Sequence, residues 1–138
     1  MFNTMLVEDN LGIRELLKDI LKSQFPSMDI MEASDGVEAV QKIGFHPPNL
    51  IFMDIGLPGE NGLELTEKIK SRYPDIIIII LTTYDSIEYR EAAMRYKADG
   101  FLAKGNSTPD DVCRLIEPIL SEKGFNADGS TPQEDRHH

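Results

Sequence analysis

The sequence predicts a three-layer α/β fold, in which one parallel sheet lies between two layers of helix. Short apolar runs alternate with stretches of helical periodicity five times along the 138 residues, the signature of repeated strand–helix units. The connections are short and punctuated by Gly, Pro and Asn. One run, residues 76–81, is apolar at every position, and a strand apolar on both faces is a strand covered on both faces.

Residues 4–7 form the first strand, interrupted by Glu8-Asp9-Asn10. Ile13, Leu16, Leu17, Ile20 and Leu21 then fall at i, i+3, i+4, i+7 and i+8, a helix that Pro26 stops. Residues 28–33 read as a second, less apolar strand. Asp35-Gly36 opens a second helix, whose inward side is expected to carry Val37, Val40 and Ile43 and which ends before Pro47-Pro48. Residues 50–53 are the third strand, with Asp54 at its carboxyl end and a loop over 55–60. Leu63, Leu65 and Ile69 mark a third helix, closed before Pro74, and 76–81 is the fourth strand.

The fourth helix, about 86–97, is weakly amphipathic. Ile87 and Met94 share a face, but Tyr89, Arg90 and Tyr96 spread around it, so it is expected to be the least firmly docked. Residues 100–103 are a short fifth strand. Thr108-Pro109-Asp110-Asp111 combines a capping hydroxyl, proline at the first helical position and acids in the first turn. Val112, Leu115, Ile116, Ile119 and Leu120 supply the stripe of the fifth helix, which Pro118 is expected to kink or end early. After Lys123 the chain turns polar. The folded domain is therefore placed at 1–123, and 124–138 is read as a disordered linker or, given Arg136-His137-His138, a tag remnant.

Five such units joined by right-handed crossovers fit the flavodoxin-like (βα)5 order 2-1-3-4-5, where ligands bind beyond the carboxyl ends of the strands. Composition narrows the ligand. Twenty-four acidic against 14 basic residues give a net charge of -10, a surface that repels nucleic-acid phosphates and anionic membranes. No apolar run reaches the ~18 residues of a membrane span, and no signal peptide is visible at the start. The single cysteine, Cys113, rules out an internal disulfide and is compatible with the cytoplasm, where the chain is expected to reside.

In that strand order, Glu8-Asp9, Asp54, Thr82-Thr83 and Lys104 end four neighbouring strands spaced ~4.8 Å apart. Three carboxylates so close need a proton or a cation. One ammonium does not balance them, and a hard divalent ion such as Mg2+ does. With that ion, Asp54 becomes a nucleophile for phosphoryl transfer, and Thr82 and Lys104 become donors to the phosphoryl oxygens. Each residue alone has a plainer explanation: a turn or cap for Asp54 and the acidic pair, an ordinary strand-end hydroxyl, a solvated lysine. Their convergence on one edge favours chemistry.

The motifs Leu6-Val7-Glu8-Asp9-Asn10, Phe52-Met53-Asp54-Ile55-Gly56-Leu57-Pro58-Gly59 with Asn61-Gly62, Leu81-Thr82 and Gly100-Phe101-Leu102-Ala103-Lys104 resemble the receiver domains of two-component response regulators over about residues 3–122. The resemblance implies that Asp54 is the phosphoacceptor. It implies that Asp9, Asp54 and the Gly56 carbonyl bind Mg2+, with Glu8 acting through water. Thr82 matches the switch hydroxyl, Lys104 the conserved-type lysine and Phe101 the switch aromatic.

Thr82 lies 28 positions after Asp54, and Lys104 lies 22 after Thr82, spacing similar to the subfamily with a helix-turn-helix output domain. Gly105 departs from the Lys-Pro step of another subfamily. Phe101 stands where tyrosine is frequent and can bury without an unpaired hydroxyl, so its inward state is expected to be favoured. The implied partners are a sensor histidine kinase and a DNA-binding output domain controlling transcription, with homodimerisation on phosphorylation compatible with both. The domain would catalyse only its own phosphorylation and dephosphorylation, switching the surface of its fourth helix, fifth strand and fifth helix. A phosphatase of the haloacid-dehalogenase type needs a second acid where Gly56 stands. A flavodoxin needs a phosphate loop where Glu8-Asp9-Asn10 stands. A phosphorylation-independent interaction module of the same fold is the remaining alternative.

Overall fold

The computed structural model describes residues 1–83, 87–104 and 107–132. Ser86 (the expected start of the fourth helix), Gly105 and the terminal Arg136-His137-His138 lie outside the described residues, as does the side chain of Tyr89.

The elements alternate without exception: β1 (Asn3–Val7), α1 (Leu11–Gln24), β2 (Asp29–Ala33), α2 (Gly36–Phe45), β3 (Leu50–Asp54), α3 (Gly62–Arg72), β4 (Ile77–Thr82), α4 (Ile87–Arg95), β5 (Gly100–Ala103) and α5 (Pro109–Glu122). The strands form one parallel sheet in the order β2-β1-β3-β4-β5. The strand period of two splits the core into two apolar layers. Leu6, Phe52, Ile79 and Leu81 face α1 and α5, packing with Leu21, Val112, Ile116 and Leu120. Val7, Met53, Ile78 and Ile80 face the other way, toward Ile43 of α2, Leu65 and Ile69 of α3 and Ala93 of α4. The three-layer flavodoxin-like architecture is therefore the one the alternation predicts.

Helix starts follow local chemistry. The side chains of Asn10, Asp35, Asn61 and Thr108 accept from backbone N–H groups of the first turns of α1, α2, α3 and α5. At Thr108 the bond is reciprocated by Asp111, completing a capping box.

Two expectations are corrected and a third is narrowed. The inward side of α2 is Gly36, Ala39 and Ile43; Val37 and Val40 are 67% and 51% exposed. Small residues let the helix sit close to its neighbours, leaving the valines outside. Pro118 does not end α5, which runs to Glu122. The missing N–H removes one hydrogen bond, and burial of Val112, Ile116 and Leu120, at about 1.5–3 kcal/mol each, holds the helix through it.

The segment after Lys123 is not structureless over the described residues. It folds back under the sheet, opposite the strands' carboxyl ends. The Phe2 N–H donates to the Gly129 carbonyl at 3.2 Å, and the Ser27 N–H to the Asp128 carbonyl at 3.2 Å. The ring of Phe125 meets Phe2 edge-on at 5.1 Å. Gly129 has φ +88°, and a Cβ there would sit 3.3 Å from Met28 Cβ, so both its backbone conformation and its close approach favour glycine.

α4 is thinly held. Ile87 and Met94 are each 68% exposed, and among its described side chains only Ala93 is buried.

Candidate functional site

The site lies at the carboxyl edge of the sheet, where parallel pairing brings four strand ends together. Glu8 follows β1, and its N–H donates to the Ala33 carbonyl at 3.0 Å, prolonging the ladder with β2. Its side chain therefore turns inward and is 1% exposed. Asp54 closes β3 opposite Leu81 of β4 and is 4% exposed. Thr82 ends β4 and is buried, whereas Thr83 is exposed. The Lys104 N–H donates to the Thr82 carbonyl at 2.7 Å, which fixes where the lysine side chain departs from β5.

That side chain occupies the centre of the site. Its ammonium lies 2.7 Å from Glu8 Oε1 and 2.8 Å from Asp54 Oδ1. Asp54 Oδ1 also accepts the Gly56 N–H at 3.1 Å, and Glu8 Oε2 accepts the Asn10 N–H at 3.0 Å. Burial holds the Glu8 carboxyl above the ordinary glutamate range, against the pull of Lys104 and the Asn10 amide; the charge on Asp54 adds to the rise. Burial would lower the Lys104 ammonium, but its contacts with Asp54 and Glu8 outweigh that and raise it. The lysine is thus a fixed positive charge.

Glu8, Asp9 and Asp54 each offer an oxygen, and these lie within 4.8 Å of one another. Three carboxylates against one ammonium leave negative charge uncompensated. The donors are hard oxygens, and Asp9 is open to water. That set suits Mg2+, which keeps part of its hydration and takes one or two carboxylates. The cleft above them, about 380 Å3, is lined by Asp9, Asn10, Gly56, Thr82 and Thr83 among others. With a water molecule taking about 30 Å3, it has room for a phosphoryl group beside a hydrated cation.

Every site residue named from the sequence except Phe101 lines this cleft. Phe101 stands on β5 beneath α4, half-buried, with the Arg90 guanidinium 5.1 Å from its ring centroid.

Sequence reasoning missed two supporting residues. Arg14 donates from Nη1 to the Glu8 carbonyl at 2.7 Å and from Nε to Glu32 at 2.9 Å, tying the acidic pair to α1 and β2. No local pattern marks it. Gly62 packs against the Asp54 backbone, where a Cβ would lie 2.0 Å from the Asp54 carbonyl oxygen. The Asn61-Gly62 step signalled it, without a role.

Residues 4–125 match the family model described as "Response regulator receiver domain". Oxygen regulatory protein NreC of Staphylococcus carnosus (strain TM300) is 38% identical over 116 residues, 83% of this chain and 52% of that protein. NreC of Staphylococcus epidermidis is 35% identical over 122 residues, 88% of this chain and 56% of that protein. The chain thus spans about half the length of these relatives. Among solved structures, a LuxR-family two-component response regulator from Aurantimonas sp. SI85-9A1 superposes with TM-score 0.78 at 28% identity, covering 87% of this chain and 85% of that one. A putative response regulator from Chloroflexus aurantiacus J-10-fl, at 24% identity and TM-score 0.80 over 87% of this chain and 98% of that one, has the same fold.

Proposed function

This chain belongs to the family of response regulator receiver domains, and from that premise we propose that Asp54 accepts a phosphoryl group from a sensor histidine kinase and so switches the α4–β5–α5 surface. One observation carries the reading: the Lys104 ammonium stands between two buried carboxylates, 2.7 and 2.8 Å away, at the junction of adjacent strand ends. A lysine serving only solubility would point to water.

An Asp54 carboxylate oxygen forms the new O–P bond as the N–P bond of the donor phosphohistidine breaks, and the leaving imidazole nitrogen keeps the electron pair. Lys104 and the Thr82 hydroxyl donate to the phosphoryl oxygens, and the Gly56 amide lies within reach of the same charge. Asp9, Asp54 and the Gly56 carbonyl would hold Mg2+, with Glu8 beside them; bound there, the ion would supply positive charge to offset that of the phosphoryl group. The product carries nearly two negative charges, which draw Thr82 inward. α4 is thinly held and Phe101 lies under it with Arg90 across its ring, so this element can answer with a change of packing.

The output would be a DNA-binding domain outside this chain, with transcription as its effect and dimerisation as one consequence of the switch. The subfamily spacing and the LuxR-family likeness support that extension. A domain charged by an ATP-fed kinase works where ATP is, so the reading places it in the cytoplasm.

The test is intact-mass spectrometry after incubation with acetyl phosphate, with and without Mg2+. One phosphoryl group gained only with the metal, and none on Asp54→Ala, is expected. No gain on wild type would return the domain to a phosphorylation-independent interaction module.

A further inference from the structure

The valines that the sequence pattern assigns to the core of α2 lie outside it, and they border a second concavity. Between α2 and α3 runs a cleft of about 310 Å3 whose floor is Ile43, Leu65 and Ile69, with Val40 on one wall and Lys68 and Arg72 on the other. Val37, one turn before Val40, is 67% exposed, and Phe45 at the end of α2 is 91% exposed. Apolar surface of this kind, gathered on one helix and rimmed by charge, marks an interaction site more often than isolated exposed residues do.

The charge decides what fits. The chain carries a net -10, yet the lining of this cleft holds two cations and no carboxylate. Lys68 is 70% exposed and its bond to Glu60, 3.1 Å long, is of the surface type that yields readily. Arg72 lies over the Tyr73 ring at 5.8 Å and is exposed. A second copy of the chain is disfavoured, because two such grooves meeting about a two-fold axis would bring two cationic linings together.

We propose that the α2–α3 groove docks an amphipathic helix of a partner protein, with an apolar ridge seated over Val40, Leu65 and Ile69 and carboxylates on its flank meeting Lys68 and Arg72. This is helix-in-groove recognition, in which anchors at i, i+3, i+4 and i+7 fill the cleft. The surface is separate from the Asp54 cleft and requires no phosphorylation.

Gly44 supplies a clean test. It lines the groove, and a Cβ there meets nothing within 4 Å. Gly44→Glu therefore blocks the groove and adds repulsion without disturbing the core, and removing a helical glycine holds or raises thermal stability. The probe is a labelled synthetic helix with Leu at i, i+3, i+4 and i+7 flanked by Glu, read by fluorescence anisotropy, with a Lys-flanked version as control. Saturable binding to wild type and to Asp54→Ala is expected, at least about tenfold weaker for the Lys-flanked helix and for Gly44→Glu. Amide shifts should centre on Val40, Lys68 and Tyr73. Absence of binding, equal affinity for both helices, or binding indifferent to Gly44→Glu overturns the proposal. Self-association of the chain that Gly44→Glu abolishes also overturns it, assigning the face to a second copy.

Discussion

Replacing Gly62 by alanine adds one carbon beside the phosphoacceptor. That carbon would lie 2.0 Å from the Asp54 carbonyl oxygen and 2.9 Å from Asp54 C and Ile55 Cα. Carbon–oxygen contacts open to about 3.3 Å, so relief needs ~1.3 Å of movement. The atoms in the way are backbone, so no rotamer change relieves the contact. Either α3 backs away, weakening the Gly62 N–H bond to the Ile55 carbonyl at 2.9 Å, or the end of β3 carries Asp54 out of line. Overpacking of this kind destabilises by about 1–3 kcal/mol. A misplacement near 1 Å slows chemistry by about 100-fold.

The assay is the rate of phosphorylation by acetyl phosphate at fixed Mg2+, followed by intact mass, beside a urea melt. Gly44→Ala is the control: its Cβ meets nothing within 4 Å, and it should phosphorylate normally and be unchanged or more stable by up to about 1 kcal/mol. A Gly62→Ala protein that phosphorylates within about twofold of wild type at unchanged stability would show that the packing of α3 against Asp54 does not position the site.

Three further outcomes follow from packing and charge. Phe125→Ala, or truncation after Lys123, should lower stability by about 2 kcal/mol or more by urea melt, because Phe125 is half-buried against Phe2 and the segment closes the underside of the sheet; an unchanged midpoint would make the segment a passive tail. Lys104→Met, measured without Mg2+ at neutral pH, should lose about 3–5 kcal/mol, since it leaves the buried carboxylates of Glu8 and Asp54 without their ammonium; added Mg2+ should recover part of that loss, and indifference to the metal would argue against a cation at the acidic cluster.

Glu38 accepts from the Ser34 N–H and pairs with Lys42, which brings its carboxyl down to about 2. A depressed carboxyl stabilises the fold above its unfolded value of 4.5 and loses that contribution as pH falls toward 2. Because Glu38 is 38% exposed, solvent screening limits the effect to about 1 kcal/mol. Glu38→Gln should be less stable than wild type at pH 7, with the gap closing by pH 2; a pH-independent gap would point to packing instead.

The strands and their order are legible in the sequence because a parallel sheet buries both faces, and runs such as Ile77–Thr82 have no other stable place. The gathering of the candidate residues at one edge was legible for the same reason. Once four strands are ordered, Glu8, Asp9, Asp54, Thr82 and Lys104 must share an edge. What escaped depends on tertiary fit. Arg14 reaches Glu8 only because α1 presents that face to the edge of β1 and β2. In α2, hydropathy weights Val37 and Val40 over Gly36 and Ala39, yet the close-packed side is the small one. The segment after Lys123 is polar in composition, and its order comes from Phe125 meeting Phe2 and from Gly129 fitting against Met28.

Whether Asp54 itself carries the phosphoryl group is read by trapping the acyl phosphate. Borohydride reduces a phosphorylated aspartate to homoserine in place, and peptide mapping then locates the change. After incubation with acetyl phosphate and Mg2+, homoserine should be found at position 54 and at no other aspartate. Its absence from position 54, or its presence at Asp9 with Asp54 intact, would mean that Asp54 is not the phosphoacceptor.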